Sequence, residues 1–290
     1  MNLVDPSCAG LVKAFLMRTR RHPQGSRPSR DPMFRREGSS FDLRNIREYL
    51  PSDDPRRVDW RLEARTGRLY VKEYHEEERD GLVVLADLSS SLDALGEVPG
   101  ARLEAPLADT TAASVAWTLA ALGEPVFLLA FASRPLRALE RPRGGFGKPE
   151  LDGFFGDIGR EERDGTAIEA AARAARARSR YGRVVIVSDF LDPGFRPERL
   201  PFKKAFFLRL HRDFASAAGS AADVDVEDNE SGRRLVIPWD GQARKSYLKQ
   251  LTELEASLAS PRGGRFFFQR ISAREELPEA LYALLEALHA

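Results

Sequence analysis

Cysteine is nearly absent: Cys8 is the single one among 290 residues. No intrachain disulfide can form, and a reducing compartment is the natural setting. An excess of charge is absent too. Forty-five basic and 44 acidic residues leave a formal net charge of +1, so no global field draws the chain to nucleic acid or to an anionic membrane. Long apolar runs are also missing, and none approaches the roughly 20 residues a membrane helix needs. The stretch from Met1 to Met17 carries Asp5 and Lys13 within its apolar part and lacks the basic-then-apolar order of a secretion signal. Together these absences predict a soluble, cytoplasmic protein with no membrane span and no nucleic-acid partner.

Histidine is sparse. His22, His75, His211 and His289 are scattered, with no H-E-x-x-H spacing and no cysteine partners, which removes a zinc site. No G-x-x-x-x-G-K-[ST] loop and no G-x-S-x-G elbow occur. Gly144-Gly145-Phe146-Gly147 joins no clear strand to a helix and reads as a loop. Ser89 as a nucleophile lacks an evident histidine base, so no catalytic residue is assigned.

With 42% hydrophobic and 31% charged residues, the chain has the material for a core and a solvated surface. Residues 1–40 read as an N-terminal helix followed by a basic linker. Arg, Pro, Gly and Ser punctuate residues 18–40, a composition that favours a partly flexible linker over a nucleic-acid arm. Residues 41–80 alternate charges of both signs around Tyr49 and Trp60, and Arg68 to Lys72 suits an edge strand. This segment is expected to pack on the main domain. Its charges (Asp53, Asp54, Arg56, Asp59, Arg61, Arg65) would form a structural network with Trp60 as the packed anchor.

Residues 81–290 alternate two kinds of segment. Leu82–Asp87, Val126–Phe131, Val184–Phe190, Ala205–Leu210 and Phe266–Ile271 are short, largely apolar runs. Several lack in/out alternation, as in strands buried on both faces of a parallel sheet. Between them lie helical stretches: Ala112–Leu122, the Ala/Arg run Ala167–Ser179, and the stripes Tyr247/Leu251/Leu254/Leu258 and Leu281/Leu284/Leu285/Leu288. Both stripes read as core. The alternation predicts an α/β fold: a doubly wound, mostly parallel sheet with helices on both faces and an N-terminal extension. The acidic stretch Asp223 to Glu230 fits no EF-hand spacing and reads as a charged hairpin or surface turn.

The chemistry concentrates at strand ends. Asp87-Leu88-Ser89-Ser90-Ser91 places a carboxylate and two hydroxyls where a strand ends and an open sheet usually meets its ligand. Val184-Val185-Ile186-Val187-Ser188-Asp189 is a second buried strand ending in a carboxylate, and Asp164-Gly165-Thr166 is the loop before the helix leading back to it. Asp87, Ser89, Ser91, Thr166 and Asp189 can therefore converge on one carboxyl edge. All are hard oxygen donors, suited to Mg²⁺ or Mn²⁺ and not to a soft metal. Each residue alone has a plainer role: Thr166 with Glu169 spells a capping box, Asp189 can cap or accept from an amide, and Ser89 and Ser91 suit a turn.

D-x-S-x-S, a loop threonine and a strand-end aspartate resemble the metal-ion-dependent adhesion site of von Willebrand factor A domains. Upstream, Arg47 to Arg65 (R-E-Y-L-P-S-D-D-P-R-R-V-D-W-R-L-E-A-R) is similar to the R-x-Y-x-x-G-D-D-x-R-x-I-D-W-x-x-x-A-R signature of the bacterial domain of unknown function 58 family. Ser52 stands where that family usually has Gly, and Val58 where it has Ile. Many relatives carry N-terminal membrane helices, whereas this chain resembles a soluble short form. The resemblance implies a von Willebrand A-like domain over 81–290. It also implies metal-binding roles for Asp87, Ser89, Ser91, Thr166 and Asp189, and a MoxR-type AAA+ ATPase as partner. The function expected is a metal-dependent protein-binding module acting with that ATPase in protein or complex maturation. The alternative is a metal-dependent hydrolase of phosphoesters built on the same oxygens.

Overall fold

The structure, a computed structural model, describes residues 2–21, 43–50, 58–74, 79–93, 106–211, 223–227, 234–259 and 265–289. In chain order these form α1 (Cys8–Arg21), β1 (Leu43–Glu48), α2 (Trp60–Thr66), β2 (Tyr70–Tyr74), β3 (Arg79–Asp87), α3 (Ser90–Asp93), α4 (Leu107–Ala121), β4 (Val126–Phe131), β5 (Pro135–Arg141), α5 (Lys148–Gly156), α6 (Ile168–Ser179), β6 (Tyr181–Ser188), β7 (Lys204–Leu210), β8 (Asp223–Glu227), β9 (Arg234–Pro238), α7 (Gly241–Ala259), β10 (Phe266–Ile271) and α8 (Leu277–His289). Among the described residues no helix is long and apolar enough to cross a membrane. Two compact units result, one of residues 22–79 and one of residues 1–21 with 80–290.

In the smaller unit β1 pairs antiparallel with β2, and α2 lies between them in sequence. The Asp59 carboxylate caps α2, accepting from the N–H groups of Arg61 and Leu62 at 3.0 and 3.3 Å. Gly67 ends the helix at φ 68°, a left-handed turn in which its N–H reaches the Glu63 carbonyl. Trp60 is 61% exposed. Among the described residues of this unit, the buried apolar side chains are Val58 and Val71, joined by a bridge. Of the expected charge network, Asp53, Asp54 and Arg56 lie outside the described residues.

The larger unit is built on a six-stranded sheet in the order β10-β7-β6-β3-β4-β5. β10 with β7, β6 with β7, and β3 with β4 are parallel pairs, and β5 closes one edge antiparallel to β4. The reason the central strands read as continuous apolar runs is visible in their packing. Leu82, Val84 and Ala86 of β3 enter one core, and Val83 and Leu85 enter another on the opposite face. β4 divides in the same way: Val126, Leu128 and Ala130 against Phe127, Leu129 and Phe131. With period two and both faces covered, no position is left for a polar residue. Helices therefore flank a mostly parallel sheet on both sides. The first core takes α4 and α8 together with Leu3, Val4, Cys8 and Phe15 of the N-terminal segment. The second takes Ile168, Ala171, Ala172 and Ala175 of α6 and Leu258 of α7.

Gly81 in β3 fits because Tyr181 lies flat against it. A Cβ there would meet the ring at 2.7 Å. The described part of the acidic run is strand β8, which pairs antiparallel with β9 over Asp223–Glu227 and Arg234–Pro238; Asp228 and Glu230 lie outside the described residues. The stripe on α7 departs from expectation. Only Leu258 is buried, while Tyr247, Leu251 and Leu254 line an open cleft.

Candidate functional site

The strand order reverses between β3 and β6. From β3 the chain proceeds outward to β4 and β5, then returns to β6 on the other side of β3 and continues to β7 and β10. Loops leaving neighbouring strands in opposite directions open a crevice at their carboxyl ends, where open α/β sheets bind ligands. Asp87 ends β3, and Ser188 and Asp189 end β6, so both carboxylates are delivered to that crevice.

Asp87 is fully buried and carries three donors. Its Oδ1 accepts from the Ser89 N–H at 3.0 Å. Its Oδ2 accepts from the Thr166 hydroxyl at 2.8 Å and from the Ser188 hydroxyl at 2.6 Å. Asp189 is 5% exposed; its Oδ2 accepts from the Ser91 hydroxyl at 2.7 Å and its Oδ1 from the Leu191 N–H at 3.0 Å. Ser89 and Ser91 hydroxyls lie 3.1 Å apart and close the chain. All five residues singled out in the sequence are thus brought into one hydrogen-bonded cluster.

Ser188 is the member that sequence reasoning missed. Its hydroxyl donates to Asp87 and accepts from the Phe190 N–H at 2.9 Å, linking the two strand ends. The signal was a lone hydroxyl closing the otherwise aliphatic run Val184 to Val187. The capping reading of Thr166 gives way. α6 starts after Ala167 with no side-chain cap on that residue, the Ile168 N–H is met by the Asp192 carboxylate at 3.3 Å, and Glu169 accepts from the Arg196 N–H. Thr166 is left to serve Asp87.

Neighbouring contacts hold these residues in place. Arg163 grips Asp109 of α4 through two bonds of 3.2 and 2.9 Å, both side chains buried. Asp164 accepts from the Ser133 amide and hydroxyl, which draws its carboxyl below the ordinary range, and its carbonyl accepts from the Ser90 N–H. The Thr166 loop is therefore clamped on both sides of the sheet edge. Behind Asp189, Phe190 adopts φ 58°, a left-handed conformation unfavourable for a bulky residue. It is held by aromatic packing on Phe195 and Phe207. Arg209 of β7, itself buried, donates from Nε to the Asp189 carbonyl at 3.3 Å and pairs with Glu255 of α7 at 2.8 Å.

Burial dominates the electrostatics. It pushes the Asp87 carboxyl up to about 6, with the nearby Asp189 charge adding to the rise and the three donors opposing it. Asp189 is raised as well, again by burial. Among the described residues neither carboxylate forms an ion pair with a basic side chain, and no three His, Cys, Asp or Glu side chains group as a metal site. The donor set is instead two carboxylates and four hydroxyls, all hard oxygen, which fits a Mg²⁺-type ion.

Fold and site define an α/β protein with an oxygen-donor cluster at the carboxyl edge of a mostly parallel sheet. Residues 45–257 match the family described as "Protein of unknown function DUF58", and the chain belongs to that family. No curated protein matches it. Among solved structures, it is similar to an aerotolerance-related membrane protein from Bacteroides fragilis NCTC 9343, at 14% identity and TM-score 0.42, covering 73% of this chain and 99% of that one. BatB from Bacteroides thetaiotaomicron gives 13% identity and TM-score 0.42 over 73% and 100%. A proximal thread matrix protein of the mussel byssus gives 12% and 0.40 over 72% and 48%. Likeness at these scores carries no argument about this chain.

Proposed function

We propose that the cluster is a Mg²⁺- or Mn²⁺-binding adhesion site and that the chain is a metal-dependent protein-binding module. The observation that carries this is a pair of buried carboxylates, in no direct ion pair among the described residues and joined through the Ser89 amide and hydroxyls at 2.6 to 3.1 Å. Asp87 and Asp189 supply two negative charges, enough to neutralise a divalent ion without overwhelming it. Ser89, Ser91 and Thr166 supply neutral oxygens, and Ser188 orients Asp87. When bound, the ion offers an electrophilic position to an acidic side chain of a partner. Following the family resemblance, that partner is a MoxR-type AAA+ ATPase, with the pair acting in protein or complex maturation.

A melt with and without Mg²⁺ tests the site. A ligand that binds only the native state at a hundred times its Kd adds about 2.7 kcal/mol, a rise in Tm of roughly 4–5 °C for a chain of this size. The rise should vanish in Asp87→Ala. An unchanged melt at millimolar Mg²⁺ and Mn²⁺ refutes the metal site. Retention of the ATPase on immobilised protein in EDTA refutes metal-dependent capture.

A further inference from the structure

Beside the oxygen cluster lies a cleft of about 230 Å³ that shares Ser91 and Asp189 with it. Its lining is divided. Ser91, Asp189, Arg209, His211 and Gln250 are polar, whereas Leu191, Leu251 and Leu254 are apolar, and Leu191 stands directly beside Asp189. Leu191 is 60% exposed two residues from Asp189. Leu251 and Leu254 belong to a helical stripe whose spacing is that of a core; Leu258 is fully buried, Leu254 packs at the edge of the second core, and Leu251 is half-buried. The volume falls below the roughly 300 Å³ at which small-molecule pockets begin and suits one large side chain. Arg209 has five N–H donors. It donates to the Asp189 carbonyl and to Glu255, and its guanidinium lies 3.4 Å from His211 Nδ1, which fixes it in the cleft wall.

We infer that the cleft is the specificity subsite of the binding module: it takes a bulky apolar side chain from the residue next to the partner's acidic one, in an extended segment. This rests on the metal-site reading. The match is one of composition, since the cleft joins a carboxylate and a hydroxyl of the cluster to apolar side chains. An acidic group held at Ser91 and Asp189 leaves the adjoining side chain within the cleft that Leu191, Leu251 and Leu254 line. That contact withdraws from water the exposed Leu191 and the remaining open surface of the half-buried Leu251 and Leu254, which is the favourable term expected to separate one acidic segment from another.

The test uses the full chain in millimolar Mg²⁺ and acetylated, amidated tetrapeptides: Gly-Asp-Leu-Gly, Gly-Leu-Asp-Gly and Gly-Asp-Ala-Gly, titrated by NMR. One of the two leucine peptides should bind about tenfold more tightly than the alanine peptide, the worth of a partly buried leucine side chain. Leu251→Lys, or Leu191→Lys at the exposed rim should the first misfold, should abolish that difference and leave Mg²⁺-dependent binding of the alanine peptide unchanged. Equal affinity for all three peptides, no peptide binding with Mg²⁺ bound, or preference surviving both lysine variants overturns the subsite alone. A melt that does not respond to Mg²⁺ overturns the metal site and the subsite with it.

Discussion

In chelating buffer the native state should lose stability as the pH rises, because of Asp87. Its carboxyl is raised from 3.8 to about 6 by burial and by Asp189. The folded chain therefore holds that proton more tightly than the unfolded chain, and the stability so gained is complete below pH 4 and lost as the pH rises through 6. Two pK units at about 1.36 kcal/mol each make the whole effect roughly 3 kcal/mol, of which about 1.4 kcal/mol falls between pH 5 and pH 8. Asp189 shifts in the same direction, whereas Asp5 and Asp164 are lowered and act oppositely. Asp87→Asn isolates the one group. Urea unfolding of both proteins in EDTA should show the wild type falling about 1.4 kcal/mol further than the variant over that range. Saturating Mg²⁺ should cancel the fall, since a cation stabilises the ionised carboxylate that burial opposes. Parallel curves for wild type and Asp87→Asn in EDTA would refute the reasoning.

Arg163→Met leaves Asp109 buried without its partner and should cost about 3–5 kcal/mol in urea unfolding; Arg163→Met with Asp109→Leu should recover most of it, and a single-variant loss below about 1 kcal/mol would show that the pair is not the clamp on the Thr166 loop. Gly81→Ala forces a methyl onto the Tyr181 ring at 2.7 Å and should lower stability by about 1–3 kcal/mol, measured by the midpoint of denaturation, with no change indicating that the ring swings aside. Thr166→Val should leave α6 intact by circular dichroism, because Asp192 and not Thr166 meets its first amide, while removing most of the Mg²⁺-induced rise in Tm. Loss of helix on that substitution would restore the capping role.

The central strands were legible because burial on both faces leaves a run such as Val184 to Val187 no reason to alternate. β5 was not, since an edge strand needs no such run: Pro135-Leu136-Arg137-Ala138-Leu139-Glu140-Arg141 mixes charge into a half-exposed ladder. α5 was hidden by its glycines and by the loop before it, although Pro149 near its start and Glu150 reaching back to the Gly147 N–H mark a helix entrance. The five candidate residues were readable from type and position, four at strand ends and Thr166 in the loop before α6. Ser188 was not, because pattern alone does not tell which face a strand-end hydroxyl meets. The α7 stripe reads as core throughout, whereas Leu258 is buried, Leu254 packs at the edge of the second core, and Tyr247 and Leu251 stay half-buried along the cleft, because apolar spacing does not tell how far along a helix the covering layer extends.

The cluster draws its members from distant parts of the chain. Thr166, Ser91 and Ser188 meet their carboxylate partners across 79, 98 and 101 residues. Closing loops of that length costs entropy before any contact repays it, and β3 and β6 become neighbours only when the segment between them has been wound out through β4 and β5 and back. The cluster therefore cannot precede the pairing of the sheet's central strands. A chain released early, or one whose two middle strands are out of register, would present Asp87 or Asp189 but never both together. Any partner that reads them jointly is thereby restricted to molecules that have finished folding.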